Sequence, residues 1–88
     1  EKEVVWIDVR SVVEHKIDSI DGDVRISHGE IVEKVQELFP DKDTNISLYC
    51  RSGGRAGKAL SALNEAGYNN VRNVGGIDDA RKVRDITK

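Results

Sequence analysis

The chain reads as a small α/β domain built on a parallel β-sheet. Three observations predict this. Apolar runs of strand length alternate with stretches of helical periodicity. The first of those runs, Val4-Val5-Trp6-Ile7-Asp8, is continuous rather than alternating, as in strands covered on both faces. A glycine-rich turn, Cys50-Arg51-Ser52-Gly53-Gly54-Arg55-Ala56-Gly57, joins a second run, Ile46-Ser47-Leu48-Tyr49, to a helix-forming stretch. The expected architecture is a sheet of four to five strands with helices on both faces, formed by residues 1–88 as one domain.

Each element has a local reason. After the first strand, Ser11 to Lys16 fits a short helix with Ser11 as N-cap and Glu14 completing a capping box. Val24-Arg25-Ile26 suits a second, short strand. Ser27 and Glu30 repeat the capping-box spacing, and Ile31, Val32, Val35, Leu38 and Phe39 follow at helical intervals. Pro40-Asp41-Lys42-Asp43 breaks the chain as a turn. The central strand is Ile46 to Tyr49. The helix beyond the glycine-rich turn is expected over Ala56 to Ala66, with Ala59, Leu60, Ala62, Leu63 and Ala66 on its apolar side and Gly67 as C-terminal cap. Val71 to Val74 reads as a further strand closed by Gly75-Gly76, and Ile77 to Lys88 as a short terminal helix.

Bulk properties exclude several function classes. With 38% hydrophobic and 34% charged residues, the composition of the 88-residue chain is that of a folded protein. No apolar run approaches the roughly 18 residues of a spanning helix, so no membrane partner is expected. Glu1-Lys2-Glu3 shows no signal peptide, and a processed secreted protein would begin in the same way. The single cysteine excludes an internal disulfide and a Cys-x-x-Cys pair, and His15, His28 and Cys50 have no metal-ligand spacing; neither metal nor cofactor is expected.

Charge is unevenly placed. Residues 1–49 carry twelve acids against six bases, and residues 50–88 four acids against eight bases. No acid lies between Asn45 and Asn64, the segment that holds Arg51, Arg55 and Lys58. This local positive field suits a small anion. A nucleic-acid surface is disfavoured by a pI of about 5.6, an aromatic content of 5% and the lack of a basic stripe along a helix.

The glycine-rich turn is the candidate site. Backbone N–H groups of such a turn and of the following helix N-terminus converge on one point, and ligands of parallel sheets bind at the carboxyl ends of strands. Cys50 stands at that point. Helix-end partial charge and neighbouring guanidinium groups favour its thiolate. A lone cysteine at a strand end is otherwise a small core residue, so the reading requires a sulfur that is both ionised and reachable.

Further pieces complete a pattern: Trp6-Ile7-Asp8-Val9-Arg10, the downstream Glu14, Ile20-Asp21-Gly22, Gly67-Tyr68-Asn69-Asn70-Val71 and Asn73-Val74-Gly75-Gly76. With the cysteine loop, in this order and spacing, they resemble the rhodanese domain, a sulfurtransferase family that carries sulfur as a cysteine persulfide. The match spans Val5 to Gly76 and is most similar to the small single-domain phage-shock protein E type. The sequence departs from the pattern in three places. Asp18-Ser19-Ile20-Asp21-Gly22-Asp23 replaces a Gly-His-Ile-x-Gly-Ala segment. Ala56 stands where a hydroxyl often follows the second arginine, and Ile77 where an aromatic residue often follows the glycine pair.

The resemblance implies that Cys50 attacks the outer sulfur of thiosulfate, with cyanide or a small thiol as acceptor. It implies substrate contacts from Arg51, Ser52, Gly53, Gly54 and Arg55, with the amides of Arg51 to Arg55 stabilising the anionic sulfur. A guanidinium suits a sulfonate because its planar donors match paired oxygens. Asp8, Arg10 and Glu14 are expected to form an ion-pair network beneath the loop, with Gly53, Gly54 and Gly57 allowing positive φ or close backbone approach. The type also implies export to the periplasm, and the chain is expected to act as a monomer. Two other readings stay open. One is a persulfide carrier or binding module. The other is a cysteine phosphatase or arsenate reductase, whose loops place the arginine six positions after the cysteine rather than the five seen here.

Overall fold

One central strand divides the core in two by the alternation of its side chains. In the computed structural model, which describes residues 3–86, that strand is β3 (Asn45–Cys50), every residue of which from Ile46 onward is buried. Ile46, Leu48 and Cys50 enter one apolar cluster with Ile7, Ala59 and Leu63. Tyr49 enters a second with Ile20, Ile77 and Ala80. A strand buried on both faces need not alternate with polar residues, and the polar residue within Ile46–Tyr49, Ser47, is fully buried with its hydroxyl oxygen accepting from Arg72.

The remaining elements are β1 (Val4–Asp8), α1 (Val12–Ile17), β2 (Val24–Arg25), a 3₁₀ turn (His28–Glu30), α2 (Ile31–Leu38), α3 (Gly54–Glu65), β4 (Val71–Gly76) and α4 (Ile77–Val83). The four strands pair in the order β2-β1-β3-β4, and every pairing is parallel. Helices α2 and α3 cover the face of Leu48, while α4 and the segment around Ile20 cover the face of Tyr49. The fold is the α/β arrangement expected, with four strands.

Several boundaries differ for physical reasons. The Ser27–Glu30 capping box does not form: the Ser27 side chain makes no capping hydrogen bond, and the Glu30 amide donates to the Ser27 carbonyl at 2.9 Å in a 3₁₀ turn. His28 lies in that turn. Leu38, expected on an apolar helix face, is 51% exposed. Helix α3 begins at Gly54, two residues ahead of the expected start, so Gly54 and Arg55 already belong to its first turn. It ends as expected: Gly67 has φ +98°, its amide donates to the Asn64 carbonyl, and Tyr68 N–H donates to the Leu63 carbonyl.

Strand β4 runs through the glycine pair instead of stopping at Val74. Leu48 pairs with Asn73 and Tyr49 with Gly75, so Val74 is the extra residue of a bulge. That bulge brings Gly76 level with Cys50 at the carboxyl edge of the sheet. Helix α4 stops at Val83, short of the terminal stretch expected to reach Lys88, whose last two residues lie outside those described.

Candidate active site

Cys50 ends β3, and the chain must then reverse into α3 within a few residues. Gly53 makes the reversal: it is the N-cap of α3 with φ +98°, a left-handed conformation that side chains disfavour. The turn aims amides at the sulfur, and Gly53 N–H donates to Cys50 Sγ at 2.9 Å. Two opposing effects then act on the thiol. Burial favours the neutral form, since the residue is 1% exposed. Backbone hydrogen bonds from Ala56, Ser52, Gly53 and Arg55 favour the anion, and together they outweigh burial, so the thiol sits below its ordinary range. Ala56, one residue beyond the expected set, contributes an amide. The second requirement, a reachable sulfur, is not met in this conformation: Cys50 is buried beneath the loop.

Of the three loop glycines, only Gly53 has positive φ. A Cβ on Gly54 would meet nothing within 4 Å, and one on Gly57 only Asn73 Nδ2 at 3.5 Å. The backbone permissiveness expected of Gly54 and Gly57 is therefore not used. The demanding glycines lie on β4. A Cβ on Gly76 would fall 2.3 Å from the Arg51 carbonyl oxygen, and Gly75, at φ +105°, faces Asp79. The cysteine loop thus lies directly on the backbone of the glycine pair. Asn73 ties the two together: its Nδ2 donates to the Gly53 carbonyl and its Oδ1 accepts from Gly75 N–H, both at 2.9 Å. The one sequence signal for this role of Asn73 is its place two residues before the glycine pair.

Beneath the loop, Asp8 is fully buried and accepts from Arg10 Nε and Nη2 at 2.9 and 2.8 Å and from the Arg10 amide at 3.0 Å. His15 Nδ1 lies 3.1 Å from the same carboxylate. Burial alone would raise this carboxyl, but the Arg10 and His15 hydrogen bonds hold it below the usual range. Arg10 Nη2 also donates to the Asp18 carbonyl. The expected Asp8–Arg10 pair is present. Glu14 instead joins Arg55, whose two terminal nitrogens donate to its two carboxylate oxygens at 2.7 and 2.9 Å.

Arg55 and Arg51 are therefore unlike. Arg55, expected to face substrate, is occupied by a bidentate pair to α1. Its own backbone amide faces the sulfur. Arg51 is exposed and has no ion-pair partner among the described residues. Arg51 lines a groove of about 500 Å³ together with Arg10, Glu14, Ile17, Asp18, Ile77 and Asp78. Ser52 and Gly54 are exposed on the loop.

The family description of the rhodanese-like domain matches residues 1–82. This chain belongs to the rhodanese-like domain family. It is 35% identical over 74 residues to the thiosulfate sulfurtransferase PspE of Escherichia coli, covering 84% of this chain and 71% of that one. A solved structure described as rhodanese with anions from E. coli superposes with a TM-score of 0.82 at 34% identity, covering 88% of this chain and 91% of that one. The domain also occurs within proteins of other activity: a tRNA uridine(34) hydroxylase of Erwinia tasmaniensis is 32% identical over 89 residues, which cover 94% of this chain but 25% of that protein.

The departures of this rhodanese-like domain from the family pattern have local explanations. Ala56 is fully buried in the Leu48 cluster, where its methyl group packs while its amide serves the sulfur. Ile77, in the aromatic's place, is 6% exposed and fills the Tyr49 cluster. In the altered segment after α1, Asp18 receives both terminal nitrogens of Arg81 at 2.7 and 3.1 Å, and Asp23 those of Arg84 at 2.7 and 3.1 Å. Asp23 also accepts from the buried Tyr49 hydroxyl at 2.6 Å.

Two predictions follow from this packing. Gly76→Ala forces the Arg51 carbonyl away and should cut Cys50 alkylation and sulfur loading by at least tenfold while the circular dichroism spectrum persists. The Glu14 carboxyl is held well below its ordinary range, first by the Arg55 hydrogen bond and then by the Ser11 amide. A depressed carboxyl contributes stability that is complete above the unfolded value, about 4.3, and lost as pH falls toward the folded one. The thermal midpoint should therefore drop on acidification below about pH 4, and by a smaller amount in Glu14→Gln.

Proposed function

We propose that this rhodanese-like domain is a thiosulfate sulfurtransferase working through a Cys50 persulfide. The observation that carries the reading is the glycine-rich turn that wraps one buried sulfur and donates the Gly53 amide to it at 2.9 Å, beside an arginine with no ion-pair partner among the described residues. Such donors stabilise an anionic sulfur before, during and after transfer, as an oxyanion hole does for oxygen. The 35% identity to a thiosulfate sulfurtransferase supports the same substrate.

The Cys50 thiolate attacks the outer sulfur of thiosulfate. A bond forms between Sγ and that sulfur, the sulfur–sulfur bond of the donor breaks, and sulfite leaves with the electron pair. Arg51 holds the sulfonate during attack. Arg55 acts through its amide, with Glu14 gripping its side chain to fix the first turn of α3. Ser52, Gly53 and Gly54 form the wall of the loop against which the sulfonate rests. An acceptor, cyanide or a small thiol, then attacks the outer sulfur and Cys50 is restored as thiolate.

The depth of Cys50 favours this chemistry over phosphate transfer. A terminal sulfur atom is a slim electrophile that can enter a loop closing five residues after the cysteine. A tetrahedral phosphoryl group presents three oxygens around its reacting centre and needs a wider ring. With one cysteine in the chain, no second thiol resolves the persulfide internally, so an external acceptor completes a ping-pong cycle.

Intact-mass measurement after mixing with thiosulfate should show one added sulfur atom on Cys50, released by cyanide. Cys50→Ser should lose this adduct and all transfer while remaining folded. Arg51→Ala should raise the thiosulfate KM with little change in kcat, by about 1.5–3 kcal/mol for a charge-assisted contact. An unmodified mass under conditions where thiosulfate is in large excess would sink the proposal, and intersecting double-reciprocal lines would remove the ping-pong order.

A further inference from the structure

The amide that donates to Cys50 Sγ belongs to the residue least able to hold its own direction. Gly53 has no side chain to restrict it, and φ +98° is one of several conformations a glycine adopts at similar cost. Its donor stays aimed at the sulfur only if the rest of the residue is held from outside. The Gly53 carbonyl is so held, by two donors at 2.9 Å: the Gly57 amide of α3 and Asn73 Nδ2 from β4. The first ties Gly53 to the helix that continues the loop. The second ties it to the sheet. Among the described residues, Asn73 is the one side chain outside the loop that hydrogen-bonds the loop backbone.

Asn73 is itself fixed. Its Oδ1 accepts from the Gly75 amide two residues on, which holds the carboxamide across the bulge of β4. A carbonyl can only accept and a backbone amide can only donate, so these partners dictate which end of the carboxamide faces which. Aspartate, of nearly the same size, would keep the acceptor and lack the donor.

We propose that Asn73 is a positioning residue for the cysteine: by holding the Gly53 carbonyl against β4 it keeps the Gly53 amide directed at Sγ, and so sets the reactivity of that sulfur. It acts through the backbone of a residue twenty positions earlier in the chain. Burial works against the thiolate and the loop amides work for it, so an amide that loses its aim tips the balance toward the neutral thiol. The charged groups around the loop are engaged elsewhere. Asp8 at the end of β1 binds Arg10 and His15, Glu14 on α1 binds Arg55 on α3, Asp79 on α4 accepts from the Gly76 amide, and Arg51 is exposed. A neutral substitution at Asn73 therefore leaves these charges in place and removes only the support of the amide.

The test follows iodoacetamide alkylation of Cys50 against pH in the unaltered protein, Asn73→Ala and Asn73→Asp, with circular dichroism as the check on folding. Asn73→Ala should move the alkylation midpoint upward and slow alkylation below it by about threefold to tenfold, the size of one neutral hydrogen bond. Asn73→Asp should move the midpoint the same way, and the shift should persist at high ionic strength, where the added charge is screened. On the sulfurtransferase reading above, both variants should slow loading at saturating thiosulfate to a similar extent. The half-saturating concentration should stay unchanged, because Asn73 does not line the groove of Arg51. Alkylation profiles identical to that of the unaltered protein would overturn the proposal and leave Asn73 a tie that serves folding alone. A shift seen only in Asn73→Asp and abolished by salt would do the same. Should Asn73→Ala fail to fold, Asn73→Asp at high ionic strength decides by the same criterion. Failure of the unaltered protein to load from thiosulfate would strike the sulfurtransferase reading instead, and the alkylation comparison would still decide the role of Asn73.

Discussion

Easing the ionisation of a buried thiol is the constraint to which the rest of this structure answers. Removing a thiolate from water is costly, and at 1% exposure Cys50 has almost no solvent to stabilise it. A hydrogen bond to a charged group contributes about 1.5–3 kcal/mol, so several must converge before the anion is favoured. The Gly53 amide donates to Sγ at 2.9 Å, and the amides of Ala56, Ser52 and Arg55 act on it in the same direction. Backbone serves better than side chains here, because amides fixed by a strand end and a helix start need no reorganisation when charge moves between the cysteine and its sulfur adduct.

That convergence sets conditions on distant parts of the chain. The turn needs Gly53 in a left-handed conformation, and the loop needs a partner strand without side chains, which Gly76 provides. The bulge at Val74 places that glycine level with Cys50. Helix α1 has no buried residue, yet it supplies the Glu14 carboxylate that grips Arg55. Its position is therefore held by polar contacts: the capping box with Ser11, the Arg55 pair and the His15–Asp8 contact. The acids of the first half of the chain and the bases of the second, so unevenly distributed in sequence, meet here across the fold as Glu14–Arg55, Asp18–Arg81 and Asp23–Arg84.

The sheet and the location of the site were legible because they rest on local signals. A continuous apolar strand, a glycine-rich turn and a helix that ends in Gly67 each declare themselves within a few residues. The Ser11–Glu14 capping box formed for the same reason, but the identical spacing at Ser27–Glu30 did not, since the chain there enters through a 3₁₀ turn that satisfies the Glu30 amide by backbone alone. Pairings between distant residues were not legible. Nothing near Arg55 in sequence indicates that Glu14 will occupy it, and nothing near Asn73 that it will bridge Gly53 and Gly75. The bulge that carries β4 through Gly76 is likewise a product of register against β3, which a single strand does not announce.

The account stands on the ionisation of Cys50, and titrating that thiol is its most direct test. Thiolate absorbance or the rate of iodoacetamide alkylation, followed against pH in the unaltered protein, should show a midpoint below the value of about 8.5 for a free cysteine. A midpoint at or above that value would mean that burial prevails over the amides, and the loop would then be a structural turn around a neutral core cysteine.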